Sequence, residues 1–165
     1  MLGRRILITG AAGQLAFPVA VDLAATNEVW GAARFSNPDD RARLEANGVR
    51  TGRLDLAAPN WDDLPDGFDH VLHFAAEIIG SDYDRAISVN AEGTGLLMQR
   101  FAMASFLVVS STVVYDLHAD EDHRYVETDP LGDSAPLFGV TYPVGKISQE
   151  ATARTMARAL GVPTT

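Results

Sequence analysis

Ile6-Leu7-Ile8-Thr9-Gly10-Ala11-Ala12-Gly13-Gln14-Leu15-Ala16 is the stretch that decides the fold. Ile6-Leu7-Ile8 reads as a short buried strand, ended by Gly10. An alanine-rich amphipathic pattern from Gln14 to Ala25 reads as the helix that follows. Between them, Gly10 and Gly13 let the main chain turn tightly and come close to a ligand. Ala16 stands where a third glycine is usual, and its methyl is small enough for close packing of helix on strand. The helix N-terminus adds unpaired amides and the positive end of a dipole. Glycines also serve ordinary turns. Here they follow a strand and open a helix at the start of the chain, the context a dinucleotide pyrophosphate requires. The backbone of Gly10, Ala12, Gly13, Gln14 and Leu15 is the expected contact surface.

Outward from this turn, apolar runs alternate with helical patterns. Glu28 to Ala33 reads as strand two. Ser36-Asn37-Pro38-Asp39-Asp40 combines a cap, a proline at the first helical position and two acids on the positive dipole end, and Gly48 closes that helix. Val49 to Leu56 reads as strand three, Trp61 to Leu64 as at most a short helix, and Asp69 to Ala75 as strand four. Asp82 to Met103 reads as one long helix, Phe106 to Ser110 as strand five, and Asp116 to about Thr141 as a polar loop. Tyr142 to Leu160 is the last helix. The alternation predicts one α/β domain over residues 1–165, with a doubly wound parallel sheet and right-handed crossovers. Gly161-Val162-Pro163-Thr164-Thr165 reads as the approach to a sixth strand.

Composition narrows the function classes. A net charge of −9, a pI of about 4.7 and the lack of any basic patch argue against a nucleic-acid partner. No apolar run is long enough to span a membrane, and Met1-Leu2-Gly3-Arg4-Arg5 leads into a strand and not into a signal peptide. Cysteine is absent, so there is neither a disulfide framework nor a thiolate metal site. A cytoplasmic enzyme is the default expectation. His118, Asp120, Glu121, Asp122 and His123 cluster in the polar loop and read as solvated charge; no metal site is expected. His73 lies in an apolar strand and reads as a satisfied core histidine. Trp30 and Trp61 read as packing residues.

The only lysine, Lys146, lies four residues after Tyr142. Residues i and i+4 share a helix face, so the ammonium can sit near the tyrosine hydroxyl. A fixed cation favours a phenolate, which would make Tyr142 a proton donor and acceptor near neutral pH. An ammonium with three rotatable donors can also bind a sugar hydroxyl. The plainer reading is a surface lysine beside a helix-cap tyrosine.

Thr9-Gly-x-x-Gly13-x-x-Ala16, Asp55-Leu56, His73-Phe74-Ala75-Ala76, Val89-Asn90, Ser110-Ser111, Val114-Tyr115 and Tyr142-x-x-x-Lys146 occur in this order. The set resembles the extended short-chain dehydrogenase/reductases, the group of nucleotide-sugar epimerases, dehydratases and reductases. The likeness runs through the whole chain. It implies a Rossmann-type sheet of about five to six strands. It implies Tyr142 as catalytic acid/base, Lys146 as its activator and holder of the nicotinamide ribose, and Ser111 as a hydrogen-bond partner of the reacting oxygen. Asp55 and Leu56 would contact adenine, Ala75 and Ala76 would line the cofactor channel, and Asn90 would support the site. Members of the group commonly form homodimers through the two long helices. Leu96-Leu97-Met98 and Phe101-Ala102-Met103, apolar over more than one helix face, fit such a surface.

Four departures from the family pattern sharpen the expectation. No acid ends strand two, and Arg34 follows Ala32-Ala33 at once. An acid there normally bonds the ribose of NAD, whereas a guanidinium suits a 2′-phosphate, so NADP is expected and NAD is the alternative. Thr112-Val113 follow Ser111 where dehydratases carry an acid pair, so 4,6-dehydration is not expected and epimerisation or carbonyl reduction remains. Gly145 replaces a common serine, a change expected to be tolerated. Members of the family continue into a C-terminal substrate domain, so the 165-residue chain is expected to be an incomplete cofactor domain. Its substrate would be a small molecule such as a sugar nucleotide. The alternative is a non-catalytic dinucleotide-binding module with a regulatory or partner-binding role.

Overall fold

The computed structural model describes residues 2–79, 82–120, 122–132 and 141–165. Five strands form one parallel sheet: β1 (Arg5–Thr9), β2 (Glu28–Ala33), β3 (Arg50–Arg53), β4 (His70–His73) and β5 (Ser105–Val108). Their spatial order is β3-β2-β1-β4-β5. Ile6 pairs with Val29 on one side and His70 on the other, so β1 is central. The chain moves outward from β1 to β3, then returns to β4. The order reverses between β1 and β4, and a crevice opens beyond their C-terminal ends.

The alternation within β1 builds two cores. Leu7 points to one face and packs with Val71, Leu97, Met98, Phe101 and Phe106. Ile6 and Ile8 point to the other and pack with Ala20, Val29, Leu44 and Val49. Helix α1 (Ala16–Ala24) and helix α2 (Pro38–Glu45) cover the second face. Asn37 caps α2 by accepting from Asp39 N at 3.1 Å, with Pro38 at the first helical position. The cap predicted from Ser36 to Asp40 is formed as read.

The helix expected over 82–103 is not continuous. It divides into α3 (Tyr83–Ile87), a π-helical turn (Ser88–Glu92) and α4 (Gly93–Arg100). Buried Asn90 sits in the wide turn. Its amide accepts from Glu77 N at 2.8 Å and donates to Glu77 O at 3.1 Å, a pairing with main chain that a regular helix would not aim. Leu97, Met98 and Phe101 are buried in the core. Of the apolar residues from Leu96 to Met103 on which a dimer surface was expected, Leu96 and Met103 are exposed.

Strands three, four and five are shorter than their sequence patterns, because a strand extends only as far as its neighbour. Gly10 turns β1 away with φ +68°, and β4 loses its partner at Thr9↔His73. A Cβ at Gly10 would meet Ala75 N at 2.8 Å and Ala75 Cα at 2.9 Å. Gly10→Ala is therefore expected to lower stability by about 2 kcal/mol or more, from the left-handed conformation and the backbone clash together. A urea titration with an unchanged midpoint would contradict this. Beyond β5, Phe106 bridges Thr164 in parallel, and Thr165 N donates to Phe106 O at 3.0 Å. The residues expected to approach a sixth strand thus form an isolated bridge beside β5.

Helix α5 (Thr141–Leu160) completes the fold and turns Thr141, Pro143, Gly145, Lys146, Gln149 and Ala153 inward. A Cβ at Gly145 would lie 2.6 Å from Asn90 Nδ2. Glycine at this position leaves that space to the Asn90 amide. Among the described residues, no helix is long and apolar enough to cross a membrane.

Candidate functional site

A cleft of about 420 Å³ opens at the C-terminal ends of β1, β2 and β4. Eight of the expected cofactor contacts line it: Gly10, Ala12, Gly13, Arg34, Asp55, Leu56, Ala75 and Ala76. Gly13 N donates to Gly10 O at 2.8 Å and closes the turn. α1 carries no acid in its first turn, so the helix itself sets no negative charge against an anion at its positive end. Gln14 and Leu15 lie on the approach to α1, and Leu15 is 71% exposed. Val89 lines the cleft, while its neighbour Asn90 is fully buried behind it.

The charged wall of the cleft was only half visible in sequence. Arg34 pairs with Glu77 (3.5 Å), Glu77 with Arg85 (3.4 Å), and Arg85 with Asp55 (3.8 Å). The chain of charges joins the end of β2, the segment after β4, α3 and the segment after β3. No local motif marks Glu77 or Arg85, because their partners are distant in sequence. Arg34 is half exposed, so its charge is available to a ligand in the cleft at the cost of sharing with Glu77.

The second group of expected residues lies beyond β5. Ser111 caps a short 3₁₀ turn (Thr112–Val114), accepting from Val113 N at 3.4 Å. Tyr142 opens α5, and Lys146 follows one turn later. Lys146 is not a surface residue. It is 2% exposed, and Nζ donates to Val109 O and Gln149 Oε1, both at 2.6 Å. Burial lowers its pKa to about 8, opposed by the Glu150 carboxylate. Glu150 in turn accepts from the Ser110 hydroxyl.

A buried polar network connects this lysine to the glycine turn. His73 Nδ1 meets Thr9 Oγ1 at 2.6 Å, and His73 Nε2 meets Thr94 Oγ1 at 2.8 Å. His73 is the satisfied core histidine that its apolar strand predicts. Burial, assisted by the Lys146 charge, holds its pKa at about 3. Between pH 6.5 and about 3, the unfolded chain takes up a proton at this position that the folded chain refuses. Stability present above pH 6.5 is therefore lost as pH falls, by up to about 1.4 kcal/mol per pH unit. His73→Asn should be less stable at pH 7 and should lose less stability on acidification from pH 6 to 4. Equal acid slopes in urea titrations would mean that folded His73 accepts the proton.

In the polar loop, the His118 and His123 rings stack at 3.9 Å, and His123 pairs with Asp129 at 2.8 Å. Among the described residues, no group of three or more His, Cys, Asp or Glu side chains is placed to hold a metal; Glu121 lies outside them.

Sheet order, glycine turn and cleft define a dinucleotide-binding domain of the doubly wound class. The sequence profile of the NAD dependent epimerase/dehydratase family matches residues 6–165, and the chain belongs to that family. No curated protein matches it. Among solved structures, it is similar to a UDP-glucuronic acid 4-epimerase from Bacillus cereus in complex with NAD. That match has 23% identity and a TM-score of 0.74, covering 97% of this chain and 54% of the other. A UDP-N-acetylglucosamine 4-epimerase from Methanobrevibacter ruminantium, in complex with UDP-N-acetylmuramic acid, matches at 17% identity and TM-score 0.79, covering 99% and 54%. An RhlG/NADP active-site complex from Pseudomonas aeruginosa matches at 17% identity and TM-score 0.71, covering 98% and 67%. At these identities the likeness is one of fold. The chain spans about half the length of the two epimerases.

Proposed function

We propose that the chain carries the cofactor-binding and proton-transfer residues of an NAD(P)-dependent epimerase or reductase. It would act at a carbinol or carbonyl carbon of a nucleotide-linked sugar or similar small molecule. The observation that carries this reading is the placement of the lone lysine. Its buried ammonium lies against Val109 O just past β5, at the edge of the sheet where Gly10 turns. A surface lysine beside a cap would have neither that burial nor that partner.

The residues fit a dinucleotide. The tight turn that Gly13 N closes on Gly10 O and the acid-free first turn of α1 form a cradle for a pyrophosphate. When bound, the nicotinamide supplies and accepts the hydride. Tyr142 exchanges the hydroxyl proton of the substrate, taking it in oxidation and returning it in reduction. Lys146 supplies the fixed positive charge one helical turn away and offers an N–H to the nicotinamide ribose. Ser111 donates to the reacting oxygen. Asp55 and Leu56 flank adenine, and Arg34 favours NADP over NAD through its 2′-phosphate.

Titration of NADPH and NADH fluorescence, followed by a turnover screen on sugar nucleotides, tests the proposal. Saturable binding with turnover supports it. Failure to bind either cofactor rejects it. Binding without turnover on any sugar nucleotide or simple carbonyl favours the non-catalytic dinucleotide-binding module.

A further inference from the structure

Gln149 has no role in the chemistry above, yet it is 1% exposed and fully engaged. Lysine has donors only, so the atom of Gln149 that faces Lys146 Nζ at 2.6 Å is the carbonyl oxygen. That orients the amide. Its NH₂ end faces Thr94 Oγ1 and His73 Nε2, each at 3.1 Å. Thr94 gives its own proton to Asn90 O at 2.6 Å, which leaves its oxygen to receive the Gln149 amide. His73 reaches Thr9 through its other nitrogen, and Thr9 Oγ1 accepts from Ala75 N at 3.3 Å. Burial and the Lys146 charge keep the His73 ring neutral.

An apolar residue could fill this volume without matching a cation on one side and acceptors on the other. Val109 O and Gln149 Oε1 occupy two of the three Nζ donors, leaving at most one N–H direction. We infer that Gln149 is the positioning residue of Lys146: it fixes the ammonium so that one N–H faces the cofactor ribose, and it ties that direction through Thr94 and His73 to Thr9 at the foot of the glycine turn. The inference rests on the reading of Lys146 proposed above. The ionisable groups around Nζ are His73 from β4 and Glu150 from α5, with Tyr142 one turn earlier on the same helix.

Lys146 is the only lysine, so protein labelled with ¹³C-lysine gives one side-chain Cε signal, titrated without assignment, cofactor or substrate. The wild-type midpoint is expected near pH 8. Gln149→Met keeps the length of the side chain and removes the oxygen, so the midpoint falls, by about one pH unit for one lost bond to a charged donor. Gln149→Glu puts a carboxylate against the ammonium, so the midpoint rises. Loosened packing would admit water and raise the midpoint in both variants, so opposite signs distinguish positioning from a structural role. NADPH affinity should fall about tenfold in Gln149→Met, with circular dichroism showing the fold retained.

A midpoint that stays fixed in both variants, or rises in both, overturns the inference. So does a methionine variant with a lowered midpoint and wild-type NADPH affinity. If the wild-type chain binds no nicotinamide cofactor, the proposed function fails instead, and the lysine titration still decides whether Gln149 holds Lys146.

Discussion

Tyr142→Phe should lower turnover by about 10²- to 10⁴-fold, the range for loss of a general acid/base, while cofactor affinity stays nearly constant. The two halves of this expectation have separate structural grounds. Tyr142 stands at the start of α5, away from the cleft lined by Gly10, Arg34 and Asp55, so the substitution leaves the pyrophosphate and adenine contacts intact. Phenylalanine keeps the ring and loses the oxygen that would exchange the proton. The measurement is kcat on the first sugar nucleotide found to turn over, beside an NADPH titration of the same variant. A phenylalanine variant with wild-type kcat would remove Tyr142 from the mechanism. Lys146→Arg should fail as well. The site accommodates a compact ammonium between Val109 O and Gln149 Oε1, and a planar guanidinium cannot reproduce those two 2.6 Å contacts.

The second large effect concerns the other end of the cofactor. NADPH should bind at least about tenfold tighter than NADH, and Arg34→Ala should remove most of that gap with little change for NADH. Raising salt should weaken NADPH more than NADH, because half-exposed Arg34 would act on a screened phosphate. The structure adds a competitor that the sequence reading lacked. Glu77 lies 3.5 Å from Arg34 and must share it with the incoming phosphate. Glu77→Gln should therefore widen the gap, in the direction opposite to Arg34→Ala. Isothermal titration with both cofactors decides the matter. Equal wild-type affinities, or a gap that survives Arg34→Ala, would make Arg34 surface charge and the cleft an NAD site.

How much of this was legible depended on the range of each interaction. The turn at Gly10 and Gly13 and the cap at Asn37 are set by neighbours within a few residues, and both stand where the sequence put them. The helix over 82–103 was legible as helix but not as broken. The break serves Asn90, whose partner Glu77 is 13 residues away. The neighbour that Gly145 makes room for was not legible for the same reason, since that atom belongs to Asn90. One signal for Gln149 was available: it lies three residues after Lys146 and four before Ala153, on the inward stripe of α5. A polar residue on such a stripe asks for a partner.

By itself the sequence determined the order of strands and helices, the parallel sheet, the dinucleotide turn and the pairing of Tyr142 with Lys146 on one helix. Each follows from periodicity, turn chemistry or i,i+4 spacing, which act locally. Tertiary structure alone decided that Lys146 is buried, that Gln149, Thr94 and His73 join it to Thr9, and that Arg34 is shared with Glu77. Those outcomes bring together residues up to 76 positions apart, His73 and Gln149 among them. Their energetics depend on removal from water, which exists only once the sheet is covered on both faces.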